Sequence, residues 1–188
     1  MDLKLENKLA LVTGSTAGIG YATAAALLHE GARVVINGRT QAAVDEALAK
    51  LKDRVDGARV MGFAGDLSSA KTADALARAH PDVDVLINNL GIFEPKPFEA
   101  IPDEDWVRLF EVNVLSGVRL ARAYVPGMRR RDWGRIIFIS SESALQIPAE
   151  MVHYGMTKAA QVAVARGLAE SLAGTRITVN SVLGRDRA

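Results

Sequence analysis

Residues 11–28, LVTGSTAGIGYATAAALL, decide the fold because they predict a strand, a glycine turn and a helix in direct succession. The turn contains three glycines, which permit a tight bend and let the backbone approach a diphosphate at the start of the helix: Gly14, Gly18 and Gly20. Their spacing, G-x-x-x-G-x-G, differs from the dinucleotide pattern G-x-G-x-x-G, so a glycine-rich connection without a ligand is an open alternative. No Lys-Ser or Lys-Thr pair follows the glycines, which excludes a P-loop.

The rest of the chain repeats this alternation of short apolar runs and Ala-rich stretches. Strands are predicted at 9–13, 33–37, 58–63, 83–88, 135–140 and 176–182. Helices are predicted at 18–30, 40–54, 69–79, 103–126 and 153–173. Several of the apolar runs are almost continuous, as expected of strands that are covered on both faces. We therefore predict a single α/β domain over residues 1–188, with a doubly wound parallel sheet and right-handed crossovers.

The composition argues against several other classes of protein. The 23 basic and 22 acidic residues leave a net charge of +1, which gives no reason to expect nucleic acid or an acidic surface as a partner. Cysteine is absent and the three histidines (His29, His80 and His153) are far apart, so neither a disulfide nor a metal site is expected. The charged start of the chain lacks the apolar core of a signal peptide, and no apolar run approaches the length of a membrane span. The expected location is the cytoplasm.

The end of the second predicted strand, VVINGRT at residues 34–40, bears on the choice of dinucleotide. Folds that prefer NAD place an acidic residue there, which binds the ribose hydroxyl. This chain has Gly38 and Arg39 instead, and arginine can bind a 2′-phosphate through its planar guanidinium group. The pattern therefore favours NADP(H) over NAD(H). The alternative is that Arg39 is only an exposed loop cation.

The strongest chemical signal lies in residues 139–161, ISSESALQIPAEMVHYGMTKAAQ. Tyr154 and Lys158 are four residues apart in a predicted helix and so share one face. A free tyrosine titrates near about pH 10, but a neighbouring ammonium group lowers its pKa, which suits proton transfer to a carbonyl oxygen. Ser141, at the end of a predicted strand, could hydrogen-bond the same oxygen. Asn113, among apolar residues of a predicted helix, is either solvated or functional.

Taken together, these residues resemble one family, the short-chain dehydrogenases/reductases. The resemblance extends from residue 6 to residue 183 and rests on an ordered set of elements: TGSTAGIG, GDLSS with Asp66, NNLG at 88–91, Asn113, Ser141, YGMTK and ITVNSV. Within the family, the chain is similar to members that resemble 3-oxoacyl-[acyl-carrier-protein] reductases. The resemblance implies a Rossmann fold and an NADP(H)-dependent reduction of a ketone or 3-oxoacyl carbonyl to an alcohol, or the reverse oxidation.

The resemblance also implies a role for each matching residue. Tyr154 would be the general acid–base, Lys158 would lower its pKa and bind the nicotinamide ribose, and Ser141 would position the substrate oxygen. Asn113 would hold a water that relays protons to Lys158. The residues implied to contact the cofactor are Gly14, Ser15, Thr16, Gly18, Ile19 and Gly20 at the phosphates and ribose, Asp66 and Leu67 at the adenine, and Asn88 and Gly91 at the far side, together with Tyr154 and Lys158. In this family Arg39 is a mark of NADP(H) preference, and no metal is needed.

Two features depart from the family pattern. The family's NNAG is NNLG here, which puts the bulkier Leu90 near the cofactor. Family members continue past the sixth strand with Pro-Gly, a substrate lid, another helix and a seventh strand, whereas residues 180–188, NSVLGRDRA, lack the proline and become charged. The expectation is a C-terminally truncated Rossmann domain without the usual last strand and lid. Its sixth strand would be an uncovered edge, or an edge covered by a partner.

Two other functions stay open at the level of sequence. A truncated chain could bind the dinucleotide with little or no turnover, because a pocket that cannot close excludes water poorly. A sugar-nucleotide epimerase or dehydratase would share the Tyr-x-x-x-Lys pattern, although those relatives usually have a different glycine spacing. The resemblance further implies a small-molecule substrate and a homodimer or tetramer formed through helices 103–126 and 153–173, without nucleic acid or membrane.

Overall fold

A parallel sheet of six strands lies at the centre of the described part of the chain. The structure, a computed structural model, describes residues 3–184. The strands are β1 (Leu9–Val12), β2 (Arg33–Gly38), β3 (Val60–Ala64), β4 (Val85–Asn88), β5 (Gly134–Ser141) and β6 (Ile177–Gly184). Their order across the sheet is β3-β2-β1-β4-β5-β6, and every neighbouring pair is parallel. The predicted doubly wound α/β fold is therefore confirmed.

Helices connect the strands and cover both faces of the sheet. They are α1 (Gly18–His29), α2 (Gln41–Arg54), α3 (Ala70–Ala79), α4 (Asp103–Phe110), α5 (Ser116–Arg131) and α6 (Val152–Ser171). Four of the five predicted helices agree with the structure to within two residues at each end. In residues 3–184, none of these helices is long and apolar enough to cross a bilayer.

The helix predicted at 103–126 differs from the structure in two ways. It is divided into α4 and α5 by a π turn, Glu111–Leu115, and α5 continues to Arg131. The predicted end coincides with Pro126, but this proline lies inside α5 and tertiary contacts extend the helix beyond it. Met128 is fully buried, and the guanidinium group of Arg131 lies 3.4 Å from the carboxylate of Asp84. Contacts of this kind override local helix propensity.

The apolar side chains of the strands form two core clusters, one on each face of the sheet. The first cluster packs against α3, α5 and α6 and includes Leu11, Val35, Leu86, Ile136 and Phe138. The second packs against α1 and α2 and includes Ala10, Val12, Val34, Ile36 and Ile87. Successive residues of a strand point to opposite faces, so burial on both sides requires continuously apolar strands. This requirement explains the apolar runs that predicted the sheet.

Strand β6 forms one edge of the described sheet. It pairs with β5 over eight positions, from Gly134 opposite Ile177 to Ser141 opposite Gly184. Val182 and Leu183 on this strand are exposed, unlike the side chains of the central strands. The predicted charged tail, residues 185–188, lies outside the described residues.

The substitution Leu86→Ala should lower the free energy of unfolding by about 2–5 kcal/mol, because Leu86 is fully buried in the central strand β4. Urea unfolding followed by circular dichroism measures this loss. Leu145→Ala deletes the same atoms from a side chain that is 76% exposed, and should change the free energy by less than about 0.5 kcal/mol. Equal losses in the two variants would contradict the burial that the structure assigns.

Candidate active site

The glycine turn joins the carboxyl end of β1 to the amino end of α1. Gly14 and Gly18 adopt left-handed backbone conformations, with φ of 58° and 57°, which other residues disfavour. A Cβ atom on Gly20 would lie 2.5 Å from the Gly14 carbonyl oxygen, so a larger residue would not fit. Ala17 occupies the N-cap position and has no side chain that could bond the first N–H groups of α1. These N–H groups are therefore suited to an anion such as a phosphate.

A pair of buried polar residues fixes the turn to the second strand. The Ser15 hydroxyl donates to the Val12 carbonyl at 2.6 Å and accepts from the Asn37 N–H at 2.9 Å. The Asn37 amide in turn donates to the carbonyl groups of Phe63 and Gly65, both at 3.1 Å. The Ser15 side chain, predicted to line the cofactor phosphates, thus lies at the β1–β2 junction instead. Asn37 was missed, although a polar residue in an otherwise apolar strand was a usable signal.

A cavity of about 540 Å³ lies beside the turn, where the carboxyl ends of the strands meet. Six of the predicted cofactor residues line it: Gly14, Thr16, Arg39, Asp66, Leu67 and Gly91. The sequence did not single out seven others that also line it: Ala17, Asn37, Gly65, Ser68, Ile92, Arg108 and Val112. The carboxylate of Asp66 accepts a 2.9 Å hydrogen bond from the Ser68 N–H and so also fixes the loop after β3.

The wall of this cavity at the end of β2 has no room for an acidic side chain at position 38. A Cβ atom on Gly38 would lie 2.5 Å from the methyl carbon of Thr16, so any larger residue would have to displace Thr16. The next residue, Arg39, is exposed at the wall of the cavity. The charge available to a ligand at this wall is therefore positive.

The two asparagines after β4 have different surroundings. The Asn89 amide donates to the carbonyl groups of Thr13 and Gly14, at 3.0 and 2.9 Å, and so holds the glycine turn against β4. Asn88 is buried, and neither atom of its amide has a hydrogen-bond partner among the described residues. Its side chain packs against Gly117: a Cβ atom added to Gly117 would lie 3.0 Å from the Asn88 Cγ atom. The structure therefore does not bring the predicted cofactor residue Asn88 to the wall of either cavity.

A second cavity, of about 160 Å³, adjoins the first one at Gly91 and Ile92. It is lined by Ser141, Tyr154 and Lys158, three of the four predicted catalytic residues, and by the predicted cofactor residue Ile19. The Ser141 hydroxyl is 3.2 Å from that of Ser143 and accepts from the Ser143 N–H at 3.1 Å. The ring of Phe93 packs edge-on against the ring of Tyr154, with 6.1 Å between their centroids.

Lys158 is almost completely buried and lies close to Tyr154. Its ammonium nitrogen is 5.5 Å from the centre of the tyrosine ring. It donates to the carbonyl oxygen of Ile139 at 2.9 Å and to the side-chain oxygen of Gln161 at 3.2 Å. Both acceptors are neutral, and only 4% of the lysine surface is accessible to solvent. The positive charge is thus held inside the protein next to the tyrosine.

Asn113 lies in the π turn between α4 and α5 and is buried, so it is not a solvated helix residue. Its side-chain oxygen accepts from the Ile92 N–H at 2.8 Å. Its side-chain nitrogen donates to the Ile92 carbonyl at 2.9 Å and to the Thr157 hydroxyl at 3.0 Å. The carbonyl oxygen of Asn113 accepts from the side chain of Gln161 at 2.6 Å. Asn113 therefore joins the loop after β4 to helix α6 and is connected to Lys158 through Gln161.

A cluster of four charged residues includes Arg108, which lines the first cavity. Lys96 pairs with Asp105 and, at 3.1 Å, with Glu94; Arg108 pairs with the same two carboxylates. These cations hold the pKa of each carboxyl below its usual range, with Lys96 the largest contribution in both cases. The backbone of Lys96 also donates to the carbonyl of Glu150, just before α6, at 2.7 Å.

Among residues 3–184, no cluster of three or more potential ligands could hold a metal ion.

The fold and the site together define a class of protein. A doubly wound sheet that carries a glycine turn, next to a cavity with a tyrosine and a lysine one helical turn apart, is characteristic of nucleotide-binding oxidoreductases. The family model described as short chain dehydrogenase matches residues 8–184, and the chain belongs to this family. Proteins of this family are oxidoreductases that bind a nicotinamide dinucleotide.

Known relatives share nearly the whole of this chain. The uncharacterized oxidoreductase YvaG of Bacillus subtilis is 48% identical over 183 residues, which cover 97% of this chain and 69% of the relative. The structure of L-sorbose reductase from Gluconobacter frateurii, complexed with NADPH and L-sorbose, is 35% identical with a TM-score of 0.92, over 97% of this chain and 71% of that one. An NAD⁺-bound xylitol dehydrogenase is 28% identical with a TM-score of 0.88 over the same shares. Proteins with this fold thus include one that binds NADPH and one that binds NAD⁺.

The charged cluster should make stability depend on pH through Asp105. The pKa of this carboxyl lies below its ordinary value of 3.8 because Lys96 and Arg108 stabilise the charged form. A carboxyl whose pKa is lowered by folding stabilises the protein above its unfolded pKa, and this contribution is lost as the pH falls through the lowered folded value. We therefore expect Asp105→Asn to lower the melting temperature at neutral pH, and this difference to shrink below about pH 4.

Thermal unfolding at a series of pH values measures this effect. Asp45→Asn is the matched control, because Asp45 is exposed on α2 and accepts a hydrogen bond only from its neighbour Gln41 among the contacts that the structure describes. Asp45→Asn should change the melting temperature at neutral pH less than Asp105→Asn does. A loss in Asp105→Asn that is the same at neutral and acidic pH would contradict the assigned ion pairs.

Proposed function

We propose that this protein is an NADP(H)-dependent oxidoreductase that reduces a ketone or 3-oxoacyl carbonyl to an alcohol, or catalyses the reverse oxidation. The observation that carries the proposal is the continuity of the two cavities. The cavity beside the glycine turn meets the cavity of Ser141, Tyr154 and Lys158 at Gly91. A dinucleotide bound at the turn would therefore extend to the proton-transfer residues. When bound, its nicotinamide ring supplies or accepts the hydride, and the protein supplies position and the proton.

The residues around the first cavity fit a dinucleotide. The start of α1 has no side-chain cap, and an added Cβ atom on Gly18 would meet nothing within 4 Å, so the backbone there is open to a diphosphate. An added Cβ atom on Gly91 would lie 3.5 Å from the Lys158 ammonium nitrogen. The absence of a side chain at Gly91 therefore keeps the junction of the two cavities open for the nicotinamide end.

The end of β2 supports NADP(H) as the preferred cofactor. The backbone at Gly38 cannot accommodate the acidic side chain of the NAD pattern without displacing Thr16. Arg39 lines the cavity next to it, and its guanidinium group can form paired hydrogen bonds with a 2′-phosphate. The NADPH in the neighbouring L-sorbose reductase structure is consistent with this preference.

The second cavity supports proton transfer at a carbonyl or hydroxyl oxygen. In the reduction, Tyr154 would donate its phenolic proton to the carbonyl oxygen, and in the oxidation it would take the proton from the hydroxyl. Lys158 would stabilise the phenolate through its buried charge and would bind the ribose. Ser141, oriented by Ser143, would donate to the same substrate oxygen. Asn113 would support this arrangement through its bonds to Ile92 and its connection to Lys158.

The substrate side of the second cavity supports a medium-sized carbonyl compound. Phe93, which lines this cavity and is 65% exposed, offers apolar surface there. An open recess lined by Glu142, Leu145, Gln146 and Leu183 combines polar and apolar groups, and Glu142 and Leu183 directly follow or precede residues of the second cavity in the chain. L-sorbose, which is present in the neighbouring reductase structure, is itself a ketone. The proposed substrate is therefore a ketone with both apolar and polar substituents.

We also propose that the protein associates with copies of itself through α4, α5 and α6. A shallow apolar recess runs along the outer faces of α5 and α6 and is lined mainly by Val118, Val125, Pro126, Val164 and Leu168. A second copy that presents the same face would cover these side chains and remove their apolar surface from water. This face corresponds to helices 103–126 and 153–173 of the sequence prediction.

The substitution Tyr154→Phe tests the reaction. NADPH oxidation in the presence of a panel of ketones should fall by at least about 100-fold, because the general acid is lost. The affinity for NADPH, titrated by fluorescence, should change little. Tyr21→Phe, which removes the same hydroxyl from a residue on α1, is the control and should retain activity. If the unaltered chain binds NADPH but reduces no ketone, the alternative of a dinucleotide-binding protein with little turnover is favoured.

The substitution Arg39→Asp tests the cofactor preference. The loss of a charge-assisted bond to the 2′-phosphate, together with repulsion by the new carboxylate, should weaken NADPH binding by about 10–100-fold. NADH binding should be retained or improved, so that the preference reverses. Arg54→Asp changes charge equally at the exposed end of α2 and should leave the preference intact. An unchanged preference in Arg39→Asp, or tighter binding of NADH than NADPH by the unaltered chain, would overturn the role of Arg39.

A further inference from the structure

Gln161 is a buried polar residue that the proposed reaction does not use directly. It lies on α6, one helical turn after Lys158, and only 1% of its surface is accessible. Its side-chain oxygen accepts from the Lys158 ammonium group at 3.2 Å. Its side-chain nitrogen donates to the carbonyl oxygen of Asn113 at 2.6 Å. The amide thus occupies a position between the two residues.

A carboxamide suits this position better than any other side chain of similar size. An ammonium group can only donate hydrogen bonds and a carbonyl oxygen can only accept them, so the bridging group must accept on one side and donate on the other. Glutamine does both without bringing a charge into the protein interior. Methionine has a similar length but forms neither bond, and an ionised glutamate can accept from Lys158 but cannot donate to Asn113.

The other end of the bridge is also fixed by the fold. Asn113 lies in the π turn Glu111–Leu115, and such irregular turns within helices frequently occur at functional sites. The side chain of Asn113 is bonded to Ile92 and to Thr157 on α6, so its backbone has little freedom to move. Its carbonyl oxygen therefore has a fixed position. It orients the side chain of Gln161, and Gln161 in turn orients the Lys158 ammonium group.

We infer that Gln161 is a positioning residue that holds the Lys158 ammonium group beside Tyr154 by bridging it to the main-chain oxygen of Asn113. The inference rests on the proposed function, in which Lys158 acts on Tyr154. The sequence resemblance assigns the link between Asn113 and Lys158 to a water molecule. In this chain the glutamine side chain forms a direct link between the two residues.

Lys158 places a positive charge next to Tyr154, with its ammonium nitrogen 5.5 Å from the ring centre. Among the described residues that line the second cavity, Lys158 and Tyr154 are the two titratable ones. Glu142 follows Ser141 and lines the open recess, and His153 packs against the Trp106 ring with 5.9 Å between the ring centroids. The ionisation of Tyr154 should therefore depend on where the Lys158 ammonium group is held.

The test measures the ionisation of Tyr154 in the protein without ligands, by the ultraviolet absorbance of tyrosinate. The chain has three tyrosines, and subtraction of the Tyr154→Phe titration isolates the signal of Tyr154. The variants are Gln161→Met, which removes both hydrogen bonds at similar volume, and Gln161→Glu, which adds a negative charge next to Lys158. Gln41→Met, at an exposed position on α2, is the control for the substitution itself.

The ionisation midpoint of Tyr154 should rise by about one pH unit in Gln161→Met, because a less fixed ammonium group stabilises the phenolate less well. It should rise further in Gln161→Glu, because the carboxylate offsets the ammonium charge. The pH profile of ketone reduction should shift in the same order, and Gln41→Met should not differ from the unaltered chain. If both Gln161 variants lower the melting temperature but leave the midpoint of Tyr154 unchanged, the inference is overturned.

A measurement on the unaltered chain covers the case in which the variants fail to fold. The side-chain amide signals of Gln161 in a nitrogen–proton NMR spectrum should shift with the ionisation midpoint of Tyr154, and should not do so in Tyr154→Phe. Amide signals that are insensitive to this ionisation would overturn the inference. Absence of ketone reduction by the unaltered chain would instead overturn the proposed function, so the two failures are distinguishable.

Discussion

The coverage of the parallel sheet on both faces is the constraint on which the rest of the structure depends. Because residues that point to either side enter an apolar core, polar groups are disfavoured along the strands and collect where the strands end. Thr13, Asn37, Asn89 and Ser141 all lie at or just after the carboxyl ends of strands. All strands are parallel, so their carboxyl ends lie along the same side of the sheet, and both cavities are found there.

The polar residues at this edge bond mainly to one another and to the backbone, and so form a support for the site. Ser15 and Asn37 join the first two strands and the loop after β3, whereas Asn89 and Thr13 join the glycine turn to the end of β4. A buried polar group that lacks a partner destabilises the fold by about 1–3 kcal/mol, so this network favours one conformation of the turn. The shape of the first cavity is thus fixed before any ligand arrives.

The sequence was sufficient to predict the parts of this arrangement that depend on local pattern. The continuous apolar runs predicted the sheet, the glycines predicted the turn, and the four-residue spacing placed Tyr154 and Lys158 on one face of α6. Hydrogen-bond partners could not be predicted in the same way, because they join residues far apart in the chain. Ser15 matched the glycine motif, yet its side chain bonds to β2. The sequence pattern did not predict a role for Gln161, because that role depends on the carbonyl oxygen of a residue 48 positions earlier.

The burial of Lys158 explains why the neutral acceptors Ile139 and Gln161 suit it. Removal of an ammonium group from water is strongly unfavourable unless hydrogen bonds replace its hydration. A carboxylate would provide such a bond, but it would also offset the positive charge that the phenolate of Tyr154 requires. The carbonyl of Ile139 and the amide of Gln161 provide hydrogen bonds without this loss, because their dipoles stabilise the ammonium group while its net charge is retained. The same surroundings that make the buried lysine tolerable thus keep its charge effective at Tyr154.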